Sequence, residues 1–397
     1  MSRRSTLTTA LVSGTLAAGV ALGVSTVLPA GATPAAAPAT AVAAPALAVA
    51  APAAQGNHRT PEVTVIGTGG TIAGLAESRD ALQTYRAGQV PIADLVGALQ
   101  PELSGVAEVE TVQFGNAGSS GYTIEQFREL TLAVDEALKT SDGVVVTTGT
   151  DTMEEFAYWL DLTVRSDKPV VLTGAMRPSN VIGADGPANL FNAIRLAGSG
   201  ETTCYGAVIM LNDEFYAARE VTKTDALRLD TFDGGQFGAL GVIDEERVTT
   251  RRAPARAEQC GTASWSTPFD VSTIGAADLP RVEIAYSYQE AGGEAISAFA
   301  AAGVEGIVTA GTGAGGISPA MREARTAALE QGVLFGTTTR TGSGSIYDAE
   351  EPTPGVIGME DLLPQKARLL LMLSLAFSED EAQVREWVDT IGSPEFS

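Results

Sequence analysis

Histidine is nearly absent from the 397 residues: the only one, His58, lies in an N-terminal stretch that contains no acidic residue before Glu62. A folded body that begins near residue 61 therefore has no His-dependent catalytic triad, no HExxH metal helix and no His-relayed general base. Lysine is almost as scarce, with four in the chain at positions 139, 168, 223 and 366. The formal charge is -23, and the Lys and Arg residues are scattered rather than patched. Such a surface repels nucleic acid and anionic membrane, so a small-molecule substrate fits better than either. Cysteine occurs twice, at 204 and 260, with no ligand spacing that would make a metal site. In an exported protein one disulfide between them is geometrically possible. If the chain is an enzyme, Lys, Tyr, Asp or Glu must move its protons.

The N-terminus is set apart from the rest. Arg3 and Arg4 precede a mostly apolar stretch from Leu11 to Leu28, and "PAGA" at 29 to 32 supplies the small residues that a signal peptidase accepts. Residues 1–32 read as a secretion signal and 33–60, rich in Ala and Pro, as an unfolded spacer. Loss of the two arginines takes the formal charge from -23 to -25.

From residue 61 onward, short apolar runs alternate with helical patterns. Strands are expected at 62–68, 143–150, 169–175 and 206–213, with helices at 124–139 and 153–164 between them. A second series follows, with strands at 282–288, 306–313 and 332–339 and helices near 293–302, 318–331 and 364–376. Continuously apolar strands are buried on both faces, which is the mark of parallel sheets covered by helices. The expected fold is α/β, with two α/β domains: a larger N-terminal one with a mostly parallel sheet (61–255) and a smaller parallel one (281–397). The polar, aperiodic residues 256–280 read as the linker.

In open parallel sheets, ligands bind beyond the carboxyl ends of the strands. Small hydroxyl residues collect at those ends: Thr68 and Thr71 after the first strand, Thr147, Thr148, Thr150 and Asp151 after a later one, Thr173 before Ala175. The glycines of "GTGGTIAG" at 67–74 are no Walker loop, which needs a terminal Lys, and no dinucleotide fingerprint, which needs a small residue where Ile72 stands. They read as a tight turn that presents Thr71. Residues 75–88, poor in core residues and flanked by Gly74 and Gly88, read as a lid with Tyr85 near its end, or as an ordinary surface loop. Asp151 and Glu154 have capping-box spacing and are compatible with simply starting a helix. Lys223, a surface charge in the bland reading, becomes a base if partly buried beside a hydroxyl. Asp185 or Gly186 with Pro187 reads as a helix start.

The motifs "GTGGTIAG", "TTGTDTMEE", "KPVVLTGAMRPS", "ADGPANL" and "VTKT", in this order and spacing, resemble the bacterial L-asparaginases of the asparaginase/glutaminase family, and "LPQKARLLL" at 363–371 extends the resemblance toward the C-terminus. The secretion signal points to the exported type II form. The resemblance implies hydrolysis of the side-chain amide of L-asparagine, and of L-glutamine in the broader members, without a cofactor. It implies Thr71 as the nucleophile, with Tyr85 positioning or deprotonating it, and Thr150, Asp151 and Lys223 as a second set. In that set Lys223 keeps Thr150 polarised and Asp151 grips the substrate's α-amino group. Ser119, with Ser120 beside it, would hold the α-carboxylate, and backbone amides at Thr150 and near Ala175 would bind the amide oxygen. Glu350 would reach across a subunit interface, which implies a homotetramer built as a dimer of dimers. Thr148 stands where the family often has His, and Ala314 where it often has Asn; both bear on the choice between asparagine and glutamine.

Amide hydrolysis without metal or histidine needs a hydroxyl nucleophile, another kind of base and oxyanion donors, and this sequence offers each. Whether the hydroxyl forms an acyl intermediate or water attacks directly stays open at this level. An exported amino-acid binding protein with two α/β lobes is the competing class; it would show aromatic and charged clamps where this chain shows paired hydroxyls.

Overall fold

The first sheet has eight strands: β1 (Glu62–Gly69), β2 (Glu108–Ala117), β3 (Gly143–Thr147), β4 (Val170–Thr173), β5 (Ala207–Leu211), β6 (Glu214–Ala217), β7 (Gly241–Asp244) and β8 (Arg247–Thr250). Their order across the sheet is β8-β7-β6-β5-β4-β3-β1-β2. The five strands from β5 to β2 are mutually parallel, and β6, β7 and β8 extend the sheet antiparallel. The chain leaves β1 toward β2 on one side and returns as β3 on the other. The carboxyl ends of β1 and β3 therefore flank a switch point, the place where open parallel sheets bind ligands. The second sheet, β9 (Val282–Tyr286), β10 (Gly306–Gly311), β11 (Leu334–Thr339) and β12 (Val356–Gly358), is parallel throughout. The computed structural model describes residues 59–396, so the secretion signal at 1–32 and nearly all of the spacer at 33–60 lie outside the described residues.

Among the described residues there are eight α-helices: α1 (Ile92–Gly97), α2 (Ile124–Ala137), α3 (Met153–Thr163), α4 (Gly186–Ser199), α5 (Glu294–Ala301), α6 (Pro319–Leu329), α7 (Pro364–Phe377) and α8 (Glu381–Trp387). Strand alternation sorts their partners. Val63, Val65, Val145 and Val171 face α1 and α4, while Ile66, Val144, Val146 and Leu172 face α2 and α3. The latter core does not stop at the first sheet. It continues through Val282 and Val308 of the second sheet and Leu369 to Leu373 of α7, so one apolar cluster runs through both halves. The described residues accordingly form one unit. Helix α3 is central to this packing: the buried rings of Phe156 and Trp159 meet Phe127 of α2, and that of Tyr158 lies under Lys366 of α7. Helix α2 starts with a capping box, in which Thr123 Oγ1 accepts the Gln126 N–H and Gln126 Oε1 accepts the Thr123 N–H.

Strand β2 escaped the sequence reading because it is an edge strand, "EVETVQFGNA", with most side chains partly or fully exposed and no continuous apolar run. Strands β6 to β8 escaped it for a similar reason: four residues each, they form a meander rather than crossovers. The segment 256–280, polar in composition, is not a solvated tether. Trp265, Phe269 and Val271 are buried, and the Phe269 ring sits 5.8 Å from Phe377 and 5.3 Å from Trp387. Cys204 and Cys260 form a disulfide across 56 residues of sequence, with Cα atoms 5.5 Å apart. Beside it Trp265 Nε1 donates to the Cys204 carbonyl at 2.8 Å, and Arg256 stacks over the Trp265 ring while pairing with Asp161. The bond thus fixes this connecting segment to the start of β5.

Candidate active site

Strand β1 ends in Gly69 and Gly70, whose φ angles of 106° and 77° suit glycine alone. A Cβ at Gly70 would lie 2.3 Å from the Gly149 nitrogen, so the missing side chain is what lets the loop after β1 touch the loop after β3. Tyr122 steadies the turn by donating its hydroxyl to the Thr68 carbonyl; burial raises the phenol's pKa and keeps it a donor. Thr71 follows as the first residue of a short 3-10 turn and is buried. Its hydroxyl is 2.6 Å from the Tyr85 hydroxyl.

Tyr85 belongs to the segment read as a lid. Leu75 and Ala76 pair with Tyr85 and Arg86 as a minimal antiparallel ribbon, and residues 77–80 at its tip are exposed. The base of the segment is tied down: Asn180 brackets the Ala76 backbone through both amide atoms, at 2.9 and 2.8 Å, and Ser179 donates its N–H to Gly74. The tip is tied as well, since the Ile182 N–H donates to the Arg79 carbonyl at 2.8 Å, so the loop at 179–182 holds the segment that carries Tyr85 at both its base and its tip.

Lys223 Nζ donates to Thr150 Oγ1 at 3.0 Å and to Asp151 Oδ1 at 2.7 Å. The Lys223 side chain is 13% exposed, the Asp151 side chain 76%. The ammonium is therefore sheltered at the hydroxyl, while the carboxylate opens to solvent. Lys223 rides on a two-residue ribbon, Thr222–Lys223 paired with Phe232–Asp233. Asp151 and Glu154 do not cap α3. Thr152 precedes the helix without a capping side chain, and Glu154 accepts the Lys223 backbone N–H at 2.8 Å and Gln365 Nε2 at 2.6 Å. Among the described residues the Thr148 and Thr152 hydroxyls are buried without a protein partner, which leaves unspent hydrogen-bonding capacity in this loop.

The remaining expected residues divide. Ser119 is buried and its Oγ accepts the Thr152 N–H at 3.2 Å, which seats it against the same loop, whereas Ser120 is exposed. Ala175 is fully buried and follows Thr173, whose carbonyl accepts the Thr148 N–H. Asp185 precedes α4, but its carboxylate turns back to accept the Met176 and Arg177 N–H groups, so it shapes the backbone after Ala175 rather than capping. Glu350 is exposed in the loop after β11, with no hydrogen bond or ion pair to the others among the described residues. Sequence reasoning missed Tyr122, Gln365 and the carboxylate contacts of Glu154. Only the order of the motifs, not their spacing, could have hinted that residue 365 reaches residue 154.

The geometry amounts to two hydroxyl sets carried by loops that touch at Gly70 and Gly149, Thr71 with Tyr85 and Thr150 with Lys223 and Asp151. Residues 62–256 match the family described as asparaginase, N-terminal, and 281–388 match the glutaminase/asparaginase C-terminal domain. The chain is 38% identical over 330 residues to L-asparaginase 2 of Bacillus subtilis, covering 82% of this chain and 86% of that one. It is 37% identical to a glutaminase-asparaginase of Acinetobacter glutaminasificans, over 81% of this chain and 97% of the relative. Among solved structures, a probable cytoplasmic L-asparaginase from Campylobacter jejuni superposes with a TM-score of 0.77 at 38% identity, covering 83% of this chain and 99% of that one.

Proposed function

Because the chain belongs to the asparaginase/glutaminase family and is an amidohydrolase of the L-asparaginase class, we propose that it is an exported enzyme that cleaves the side-chain amide of L-asparagine with Thr71 as nucleophile. Thr71 Oγ1 bonds to the amide carbon as its proton passes to the Tyr85 oxygen, 2.6 Å away, and the phenol's own proton moves on to the amide nitrogen. The carbonyl electrons move onto oxygen, where backbone N–H groups at Thr150 and near Ala175 receive the charge. Collapse of that centre breaks the C–N bond; the nitrogen takes a proton and leaves as ammonia. Water then attacks the Thr71 ester and releases L-aspartate.

Lys223 holds Thr150 polarised and pairs with Asp151, whose carboxylate meets the substrate's α-ammonium. Ser119 takes the α-carboxylate, with Ser120 nearby. Glu350, exposed in this chain, serves the site of a neighbouring copy in a homotetramer built as two dimers. Export rests on the N-terminal sequence and agrees with the Cys204–Cys260 disulfide, a bond at home in an oxidising compartment. The two-domain boundaries read from sequence, 61–255 and 281–397 around the connector 256–280, stand as part of this proposal.

The observation that carries the reading is the contact between the loops after β1 and β3 at Gly70 and Gly149, which holds both hydroxyl sets at one switch point. The test is ammonia release from asparagine by Thr71→Ala and Lys223→Met. Both are expected to lose turnover while retaining the native circular dichroism spectrum, and near-normal turnover in either refutes its role. A broad glutaminase-asparaginase is the second reading, favoured by the 37% identical Acinetobacter relative. The ratio of kcat/KM for glutamine to that for asparagine separates the two.

A further inference from the structure

Lys223 sits on a ribbon of only two residue pairs, too short to fix a side chain by itself. Its backbone is held from elsewhere. Glu154, buried in the first turn of α3, accepts the Lys223 N–H through Oε2 at 2.8 Å. The same helix start carries Asp151, one end of the contact that Lys223 Nζ completes. Glu154 therefore couples the two ends of the Lys223 contact, and its orientation sets how far the ribbon stands from Thr150 and Asp151. The other carboxylate oxygen, Oε1, is fixed by Gln365 Nε2 at 2.6 Å. Gln365 is the second residue of α7, in the C-terminal half. The next residue, Lys366, donates its ammonium to the carbonyls of Ala218 at 2.8 Å, Arg219 at 2.9 Å and Val221. Two consecutive residues of one helix thus bear on residues 218–223, Lys366 directly and Gln365 through Glu154.

We propose that Gln365 is a positioning residue for the reaction: by locking Glu154 it aims Lys223 at Thr150 and Asp151, so the second lobe completes the site of its own chain. This role for Gln365 rests on Lys223 being part of the catalytic set. A carboxylate with one partner rotates about its terminal torsion; with both oxygens engaged it keeps one orientation. Small displacements at a polarising group are costly to the rate, because the benefit depends on alignment in the transition state.

The test compares kcat and KM for asparagine in wild type, Gln365→Glu, the exchange variant Glu154→Gln/Gln365→Glu, and Gln365→Met, with Lys223→Met as reference. Gln365→Glu sets a carboxylate against Glu154 Oε1 where a donor stood. It is expected to lower kcat about tenfold while KM stays within about twofold. The exchange variant restores one donor and one acceptor in reversed order, and its kcat should return to within about threefold of wild type. Gln365→Met removes the donor without adding charge and should cost about threefold in kcat. Wild-type kcat in Gln365→Glu, or a loss that the exchange does not recover, overturns the proposal. If Gln365→Glu does not fold, Gln365→Met decides alone: a lower kcat at unchanged melting temperature supports it, and unchanged kcat overturns it. Lys223→Met keeps the two levels apart. Turnover surviving that change sinks the reading of Lys223 itself; turnover lost there but unmoved by the Gln365 variants sinks only this inference.

Discussion

Replacing Lys366 by methionine keeps the length of the side chain and removes its charge and its donors. Lys366 is 1% exposed, and its ammonium serves three backbone carbonyls, those of Ala218, Arg219 and Val221. Each carbonyl left buried without a donor costs about 1–3 kcal/mol, so the three together cost about 3–9 kcal/mol at neutral pH. For a body of this size each kcal/mol lowers Tm by roughly 1.4 °C, which makes the expected drop about 4–13 °C. The pH dependence sharpens the expectation. Burial pushes the Lys366 amine down from its ordinary 10.5 to about 8, against the fields of Glu154, Asp161 and Glu220, which hold it up. Between these values the unfolded chain keeps a proton that the native state has released, so native stability rises with pH. The contribution is fully present above 10.5 and lost as the pH falls through 8. The gap between wild type and Lys366→Met should therefore widen by about 2–3 kcal/mol from pH 7 to pH 10. Paired thermal and urea unfolding of both proteins at pH 7, 8.5 and 10 measures it. Equal melting temperatures at pH 7 would show that the three carbonyls find other partners, and a gap flat in pH would show that the amine titrates as in water.

Gly70→Ala should abolish most activity without unfolding the chain. The new Cβ would lie 2.3 Å from the Gly149 nitrogen at a φ of 77°, and pushing the two loops apart should lower kcat about a hundredfold. Wild-type kcat in this variant would show that the contact between the loops is dispensable. Removing the disulfide with Cys204→Ala/Cys260→Ala frees a loop of 56 residues' separation, which should lower stability by about 4 kcal/mol and Tm by roughly 6 °C. A differential scanning trace that coincides with wild type would mean that Trp265, Arg256 and Asp161 hold the segment unaided.

The parallel strands were legible because burial on both faces leaves continuous apolar runs, as in "GVVVT" of β3. Strand β2 was not, since an edge strand answers to water on one side and reads as polar. Trp265 and Phe269 were not, since two anchors in an irregular stretch have no period to detect. At the site, hydroxyl residues stood out because small polar side chains at the ends of apolar strands need a reason. The pairing of Lys223 with Thr150 spans 73 residues and that of Glu154 with Gln365 spans 211, distances over which local pattern carries no information. Glu154 illustrates the cost: local spacing suggested a cap, whereas the carboxylate serves a backbone far away in sequence.

The reach of α7 into the first lobe also orders events in time. A chain made from its N-terminus has β1, β3 and Lys223 in hand long before residue 365 appears, yet the donors for Glu154 and for the Ala218, Arg219 and Val221 carbonyls come only with that helix. Contacts of such sequence separation form late, after the entropy of closing a long loop has been overcome. Each newly made copy therefore passes through a stage in which most of its sheet can be formed while the ribbon bearing Lys223 is still unanchored, and the docking of α7 is the step that ends it.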